Sequence, residues 1–205
     1  WIAEQLGTPF SHLTYLHVIL NGVRRGVIYT DSQHVDSAYL QSWFPEDNEG
    51  EIFKIDDWFE FNDNVTFEYV TDAQLLDYTT IGGVKKQARY RWSWIKRSNR
   101  GLNDDYSQLF QLVDAVHAAD PAAYVQAVEA LVDVDQWMRV FAVRRIAGDW
   151  DGYGYARGKN GWTYKPEHDR WKMIPWDLDH VLGGASRAPT ASLFTETNCP
   201  SIRRM

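Results

Sequence analysis

The residues best equipped for chemistry lie between Asp149 and Gly183, in the stretch DWDGYGYARGKNGWTYKPEHDRWKMIPWDLDHVLG. Asp149 and Asp151 open it, and Asn160 sits in its Gly-, Tyr- and Arg-rich middle. Asp177 and Asp179 close it, directly after Met173-Ile174-Pro175-Trp176. Carboxylates and an amide at the ends of expected elements are hard oxygen donors. They suit Mg²⁺ or Ca²⁺, and Mg²⁺ usually completes its shell with water and substrate phosphates. The apolar Trp176 and Leu178 around Asp177 predict a partly buried site, where a carboxylate needs a partner or a metal. A plainer role fits the same residues: Asp149 and Asp151 capping a turn, Asp177 and Asp179 flanking a strand end at the surface. Arg144, Arg145 and Arg157 lie close in sequence and match carboxylate or phosphate geometry, and the sequence singles out none of them.

These residues need elements to hold them. A helix opened by Asp133-x-x-Gln136, a pattern compatible with a capping box, is expected to deliver Asp149 and Asp151. Its apolar stripe reads Trp137, Met138, Val140, Phe141 and Ile146. A hairpin from Gly161 to Ile174 is expected to carry Asp177. Two further helices precede them. One runs from Tyr106 to Ala118 with an i, i+3, i+4, i+7 apolar face. The other is opened by Asp120-Pro121, with Val125, Val128 and Leu131 turned inward. Earlier, Asn21-Gly22 between the β-rich runs Thr14–Leu20 and Val23–Tyr29 is a strong hairpin signal. A short helix over Val35–Phe44 stops at Pro45, a strand over Glu51–Ile55 contains Lys54, and another covers Val65–Val70. The acidic, aromatic run Asp56–Asn64 fits either recognition of a basic substrate segment or a lid packed by its own rings, and packing is the reading favoured. From Lys85 to Arg97, basic residues alternate with Tyr90, Trp92 and Trp94, which predicts a helix with its Trp side inward.

The chain has 205 residues, enough for one domain with a real core. A net charge of -7 argues against nucleic acid as a partner, and no apolar run is long enough to span a membrane. Cys199 is alone, so no intrachain disulfide staples the fold. Trp1 and Arg203-Arg204-Met205 read as cut ends, so the chain is expected to be a fragment truncated at both termini, of unknown compartment.

Asp149-Trp150-Asp151-Gly152-Tyr153, Gly158-Lys159-Asn160 before an aromatic run, and Trp171-Lys172-x-Ile174-Pro175-Trp176-Asp177-x-Asp179 resemble the hallmark segment of the CotH kinase family, the spore coat protein H-like atypical protein kinases. The similarity extends upstream to Asn21-Gly22 and to Gly50-Glu51-Ile52-Phe53-Lys54, and so covers nearly the whole chain. The resemblance implies an α+β, atypical protein-kinase-like two-lobe fold: an antiparallel-sheet N-lobe over residues 1–103 and a mainly helical C-lobe over 104–205. It implies ATP- and Mg²⁺-dependent phosphorylation of Ser or Thr in a protein substrate, with Mn²⁺ as the alternative ion. The implied roles are Asp151 as catalytic base, Lys54 on the nucleotide phosphates, and Asn160 and Asp177 as metal ligands. Asp149, Asp179 and Gln33 are accessory candidates. Gln33 stands where a Glu is common in the family, and Ala156 where an Asn is often seen. These departures favour, as the alternative, a pseudokinase. A metal-stabilised binding module is a second alternative and a carbohydrate-binding domain a third. The compartment implied is spore coat or extracytoplasmic, in a bacterium.

Overall fold

The computed structural model describes residues 1–56, 58–62, 66–70, 74–97, 104–150, 152–154, 159–179, 181–182 and 204. Along the chain, α1 (Ile2–Gln5) precedes a hairpin of β1 (Leu13–Leu20) and β2 (Val23–Ser32). Then come α2 (Ser37–Trp43), β3 (Glu51–Ile55), and a second hairpin of β4 (Trp58–Asn62) and β5 (Thr66–Val70). The helix α3 (Gln87–Ser93) runs into β6 (Trp94–Lys96). Three helices follow, α4 (Ser107–Val116), α5 (Pro121–Leu131) and α6 (Val134–Ala147), and a third hairpin of β7 (Gly161–Lys165) and β8 (Lys172–Pro175). The named strands pair antiparallel throughout. The architecture is therefore α+β, compatible with a two-lobe fold.

The sheet that positions the site has four strands in the order β6-β3-β7-β8. β3 comes from one side of residue 103 and β7 from the other, yet Glu51 pairs with Lys165 and Ile55 with Gly161. Successive strand residues face opposite ways, and this sheet is covered on both sides. Phe53, Ile55 and Met173 join the larger core with Trp94, Leu109, Leu112, Val128, Trp137 and Trp171. Ile52, Trp162, Tyr164 and Ile174 join a smaller core with Val35, Tyr39 and Leu40. Trp94, Trp137 and Trp171 are completely buried, and each such ring removes about 150–250 Å² from water.

Local chemistry explains most boundaries. Asn21 and Gly22 both take positive φ, as a primed hairpin turn demands. Asp36, Asp120 and Asp133 each accept a backbone N–H bond at the start of a helix. Tertiary packing overrides the pattern elsewhere. Trp92 points to solvent while Tyr90 and Trp94 are buried, because residues two positions apart in a helix of 3.6 residues per turn lie about 200° apart and Trp94 already belongs to β6. On α5 the buried residues are Tyr124 and Val128, and Val125 is exposed. On α6 Ile146 is exposed, whereas Val143 and Arg144 are buried. Trp58–Asn62, expected as a lid, is a strand paired with β5.

The helix α6 runs alongside β8, the last strand of the sheet. Gln136, near its start, donates through Nε2 to the Met173 carbonyl at 2.7 Å and accepts the Met173 N–H at 2.8 Å. Its amide thus takes the place of a neighbouring strand and closes an edge that would otherwise expose backbone groups. This explains a partial capping box: Asp133 caps the helix, but Gln136 reaches across to β8 instead of back to the cap.

Candidate functional site

The antiparallel register places three of the sequence candidates at one end of the four-stranded sheet. Ile55 pairs with Gly161, and Gly161 with Pro175. The end of β3, the start of β7 and the end of β8 therefore meet. Lys54 stands one step inside, opposite Trp162. Asn160 immediately precedes β7, and Asp177 follows β8 by two residues. The fold thus brings Lys54, Asn160 and Asp177 to one edge.

Both oxygen-donor candidates have unusual backbones: φ is 57° at Asn160 and 59° at Asp177. This left-handed region costs most side chains about 1–2 kcal/mol, and Asn and Asp tolerate it best. Such conformations persist where surrounding structure holds them. Here the holder is Arg144. Its Nη2 donates to the Asn160 carbonyl at 2.6 Å and to the Trp176 carbonyl at 3.2 Å, and its Nη1 reaches the latter at 3.3 Å. Its Nε lies 2.7 Å from Asp149 Oδ2. Arg144 is 4% exposed and Asp149 3%. Gly152 packs so close that a Cβ there would lie 2.1 Å from the Arg144 Nε. Trp176 is fixed further by its edge-to-face contact with Trp162 at 5.9 Å, beside His34.

The remaining candidates fall differently. Lys54 Nζ is 2.6 Å from Asp56 Oδ2, so its carboxylate partner comes from two residues along its own chain. Gln33 accepts the His12 N–H through Oε1 at 3.2 Å, which ties it to the base of the first hairpin. Asp177 and Asp179 are exposed rather than partly buried, because Trp176 turns onto the sheet while the reversed backbone at Asp177 swings its side chain outward. Among the described candidates the buried carboxylate is Asp149, which forms an ion pair with Arg144. Arg145 instead donates to the Gly154 carbonyl at 3.4 Å. Asp151, Ala156 and Arg157 lie outside the described residues.

Of the described arginines near the carboxylates, Arg144 contacts the backbone of both Asn160 and Trp176. The signal was present in the helix period. Trp137, Val140, Arg144 and Ala147 share the buried face of α6, so an arginine sits on an apolar stripe and must find partners there. Asp56 and Gly152 carried no comparable signal, since their roles depend on contacts made in space.

The donor set suits a hard divalent cation. Asn160 offers an amide and Asp177 an exposed carboxylate, and both are oxygen donors held on constrained backbone. Among the described residues, no group of three or more His, Cys, Asp or Glu side chains is arranged to hold a metal. An ion at Asn160 and Asp177 would therefore draw further donors from water, substrate or residues outside the described set. Among the described residues no helix is long and apolar enough to cross a membrane.

Over 71 residues the chain is 27% identical to Invasin CotH3 of Rhizopus delemar, a match covering 34% of this chain and 12% of that protein. The chain thus spans a small part of that relative's length. The sequence profile of the family described as CotH kinase protein matches residues 2–202. The chain belongs to the CotH kinase family.

Proposed function

We propose that this protein transfers the terminal phosphoryl group of ATP to a Ser or Thr hydroxyl of a protein substrate, with Mg²⁺ or Mn²⁺ as the ion. Family membership supports kinase activity. The observation that carries the finer reading is the convergence of Lys54, Asn160 and Asp177 at one sheet end, with both oxygen donors in left-handed backbone.

Phosphoryl transfer asks mainly for positioning and for positive charge near the phosphates. In this reading Asn160 and Asp177 would hold the ion, which supplies that positive charge when bound. Lys54 orients the phosphates, and Asp56, 2.6 Å away, orients the Lys54 ammonium. A carboxylate at that place compensates for the amide at Gln33. Asp151 accepts the proton of the attacking hydroxyl as its oxygen bonds to the terminal phosphorus and ADP leaves. Asp179 is an accessory acid beside Asp177. The division of the chain into an N-lobe over residues 1–103 and a C-lobe over 104–205 belongs to the same proposal, with the β3–β7 ladder joining the two. An extracytoplasmic setting also belongs to it, since the curated relative is named an invasin.

The test is phosphate transfer from γ-labelled ATP to a mixed Ser/Thr protein substrate, comparing wild type with Asp151→Asn and Lys54→Met. Loss of transfer in both variants, with ATP binding kept in Asp151→Asn, is the expected result. ATP binding without transfer in wild type would favour a pseudokinase, the reading that Gln33 supports.

A further inference from the structure

We infer that Arg144 is a positioning residue that sets the two proposed oxygen donors, Asn160 and Asp177, in their productive backbone conformations, an inference that rests on the phosphoryl-transfer reading. Arg144 sits in the last turn of α6. It donates to both segments: to the carbonyl of Asn160 itself and to the carbonyl of Trp176, in the peptide unit leading into Asp177. Asn160 and Asp177 each have positive φ. A planar guanidinium presents several donors in fixed directions, so one side chain sets the spacing of two separate chain reversals.

Two neighbours aim the guanidinium. Asp149 Oδ2 lies 2.7 Å from Nε, which fixes one edge of the fork and balances the buried charge. Gly152 packs against Nε, Nη2 and Cζ of the guanidinium, where any side chain would overlap them. The φ of Gly152 is not in the left-handed region, so glycine is needed there for the close approach. The far end of α6 is anchored on β8 through Gln136 and Met173. The helix thus grips the sheet at both ends, and the grip at Arg144 falls on the candidate site. Groups that orient ligands without touching the ion typically change metal affinity or activity about 10–100-fold when replaced.

Lysine at 144 separates charge from positioning. It keeps a cation for Asp149 but loses the planar fork that reaches the Asn160 and Trp176 carbonyls in fixed directions. Gly152→Ala displaces the guanidinium while leaving every ligand candidate and Arg144 itself in place. The surface variant Arg139→Lys, paired with Asp135 on an exposed face, is the control. In the full chain, two quantities are measured: Mn²⁺-dependent binding of a non-hydrolysable ATP analogue, and amide hydrogen exchange over residues 159–162 and 175–178. The expected result is a loss of affinity of about tenfold or more in Arg144→Lys and Gly152→Ala. Faster exchange is expected in those two segments, with exchange over α4 unchanged, and Arg139→Lys should behave as wild type. If Arg144→Lys does not fold, Gly152→Ala alone carries the comparison. Wild-type affinity and exchange in the folded variants would overturn the positioning role and leave the phosphoryl-transfer reading standing. No metal-dependent binding by wild type would remove that reading, and the role of Arg144 with it.

Discussion

The two ends of the four-stranded sheet are built from the same strands and solve different problems. At one end Asn160 and Asp177 reverse the chain with positive φ, and Arg144 grips the backbone beneath them. At the other, Tyr164 donates its hydroxyl to the Asp47 carbonyl at 2.6 Å and accepts the Gly50 N–H at 3.0 Å. There Gly50 lies so close to the Lys165 carbonyl that a Cβ would meet it at 2.0 Å. Lys96 and Glu51 form an ion pair at this end, and a cavity of about 290 Å³ opens between Glu49, Glu51, Lys165 and Glu167. This second end also carries acids, and there Asp47 accepts the Glu167 and His168 N–H groups while Tyr164 bonds Asp47 and Gly50, so the bonds close turns. The first end holds its donors on strained backbone and presents Asp177 to solvent. Acids stand at both ends, and what separates them is the backbone that holds them.

Perturbing each end should separate stability from binding. The largest effect is expected at Asp149→Ala, which leaves the Arg144 charge buried without its acid. Breaking a buried pair in this way costs about 3–5 kcal/mol, read as a lowered urea midpoint. A midpoint near wild type would mean the pair is dispensable. Next is a comparison at Asp177. Ala there must adopt positive φ and should lose about 1–2 kcal/mol, whereas Gly should not. Both should lose metal-dependent ATP binding. Retained binding in Asp177→Gly would show that the backbone, not the carboxylate, matters.

At the opposite end, Tyr164→Phe removes a hydroxyl bonded to two backbone groups and should cost about 1–2 kcal/mol with ATP affinity unchanged. Burial pushes the Tyr164 hydroxyl up to about 12, so it is a neutral donor throughout the accessible pH range. A fall in ATP affinity would erase the distinction between the ends. The smallest effect concerns Asp133, which caps α6 and bonds Lys172 Nζ at 2.6 Å. Burial raises its carboxyl, but the bonds from Lys172 and the Gln136 N–H outweigh that and hold it below the ordinary range. The pair therefore contributes fully above the ordinary carboxylate range, and the contribution is lost as pH falls through the depressed folded value. Asp133→Asn keeps the cap and loses the charge. Its stability deficit at neutral pH should shrink in strong acid, and a deficit independent of pH would contradict the assignment.

Much of this was legible before the fold was known, for reasons that differ by residue. Asn21-Gly22, Asp120-Pro121 and the run Glu51–Ile55 marked their elements because turn chemistry, capping and β-branching act locally. The third hairpin and Asp177 beyond it were also readable. The β3–β7 ladder was not, since pairing between distant segments leaves no local mark. Val125 and Ile146 misled because an apolar side chain on a helix does not say which face a neighbour will cover. The exposure of Asp177 was missed because a left-handed residue reverses the alternation that Trp176 and Leu178 suggest. Arg144 was in view, but its partners are carbonyls, and any sequence supplies those.

The most direct test is to locate manganese by anomalous scattering in crystals of the protein with Mn²⁺ and a non-hydrolysable ATP analogue. The account predicts a metal peak beside Asn160 and Asp177, with the analogue's phosphates toward Lys54. A peak in the acidic cavity lined by Glu49, Glu51 and Glu167, with none at Asp177, would contradict it.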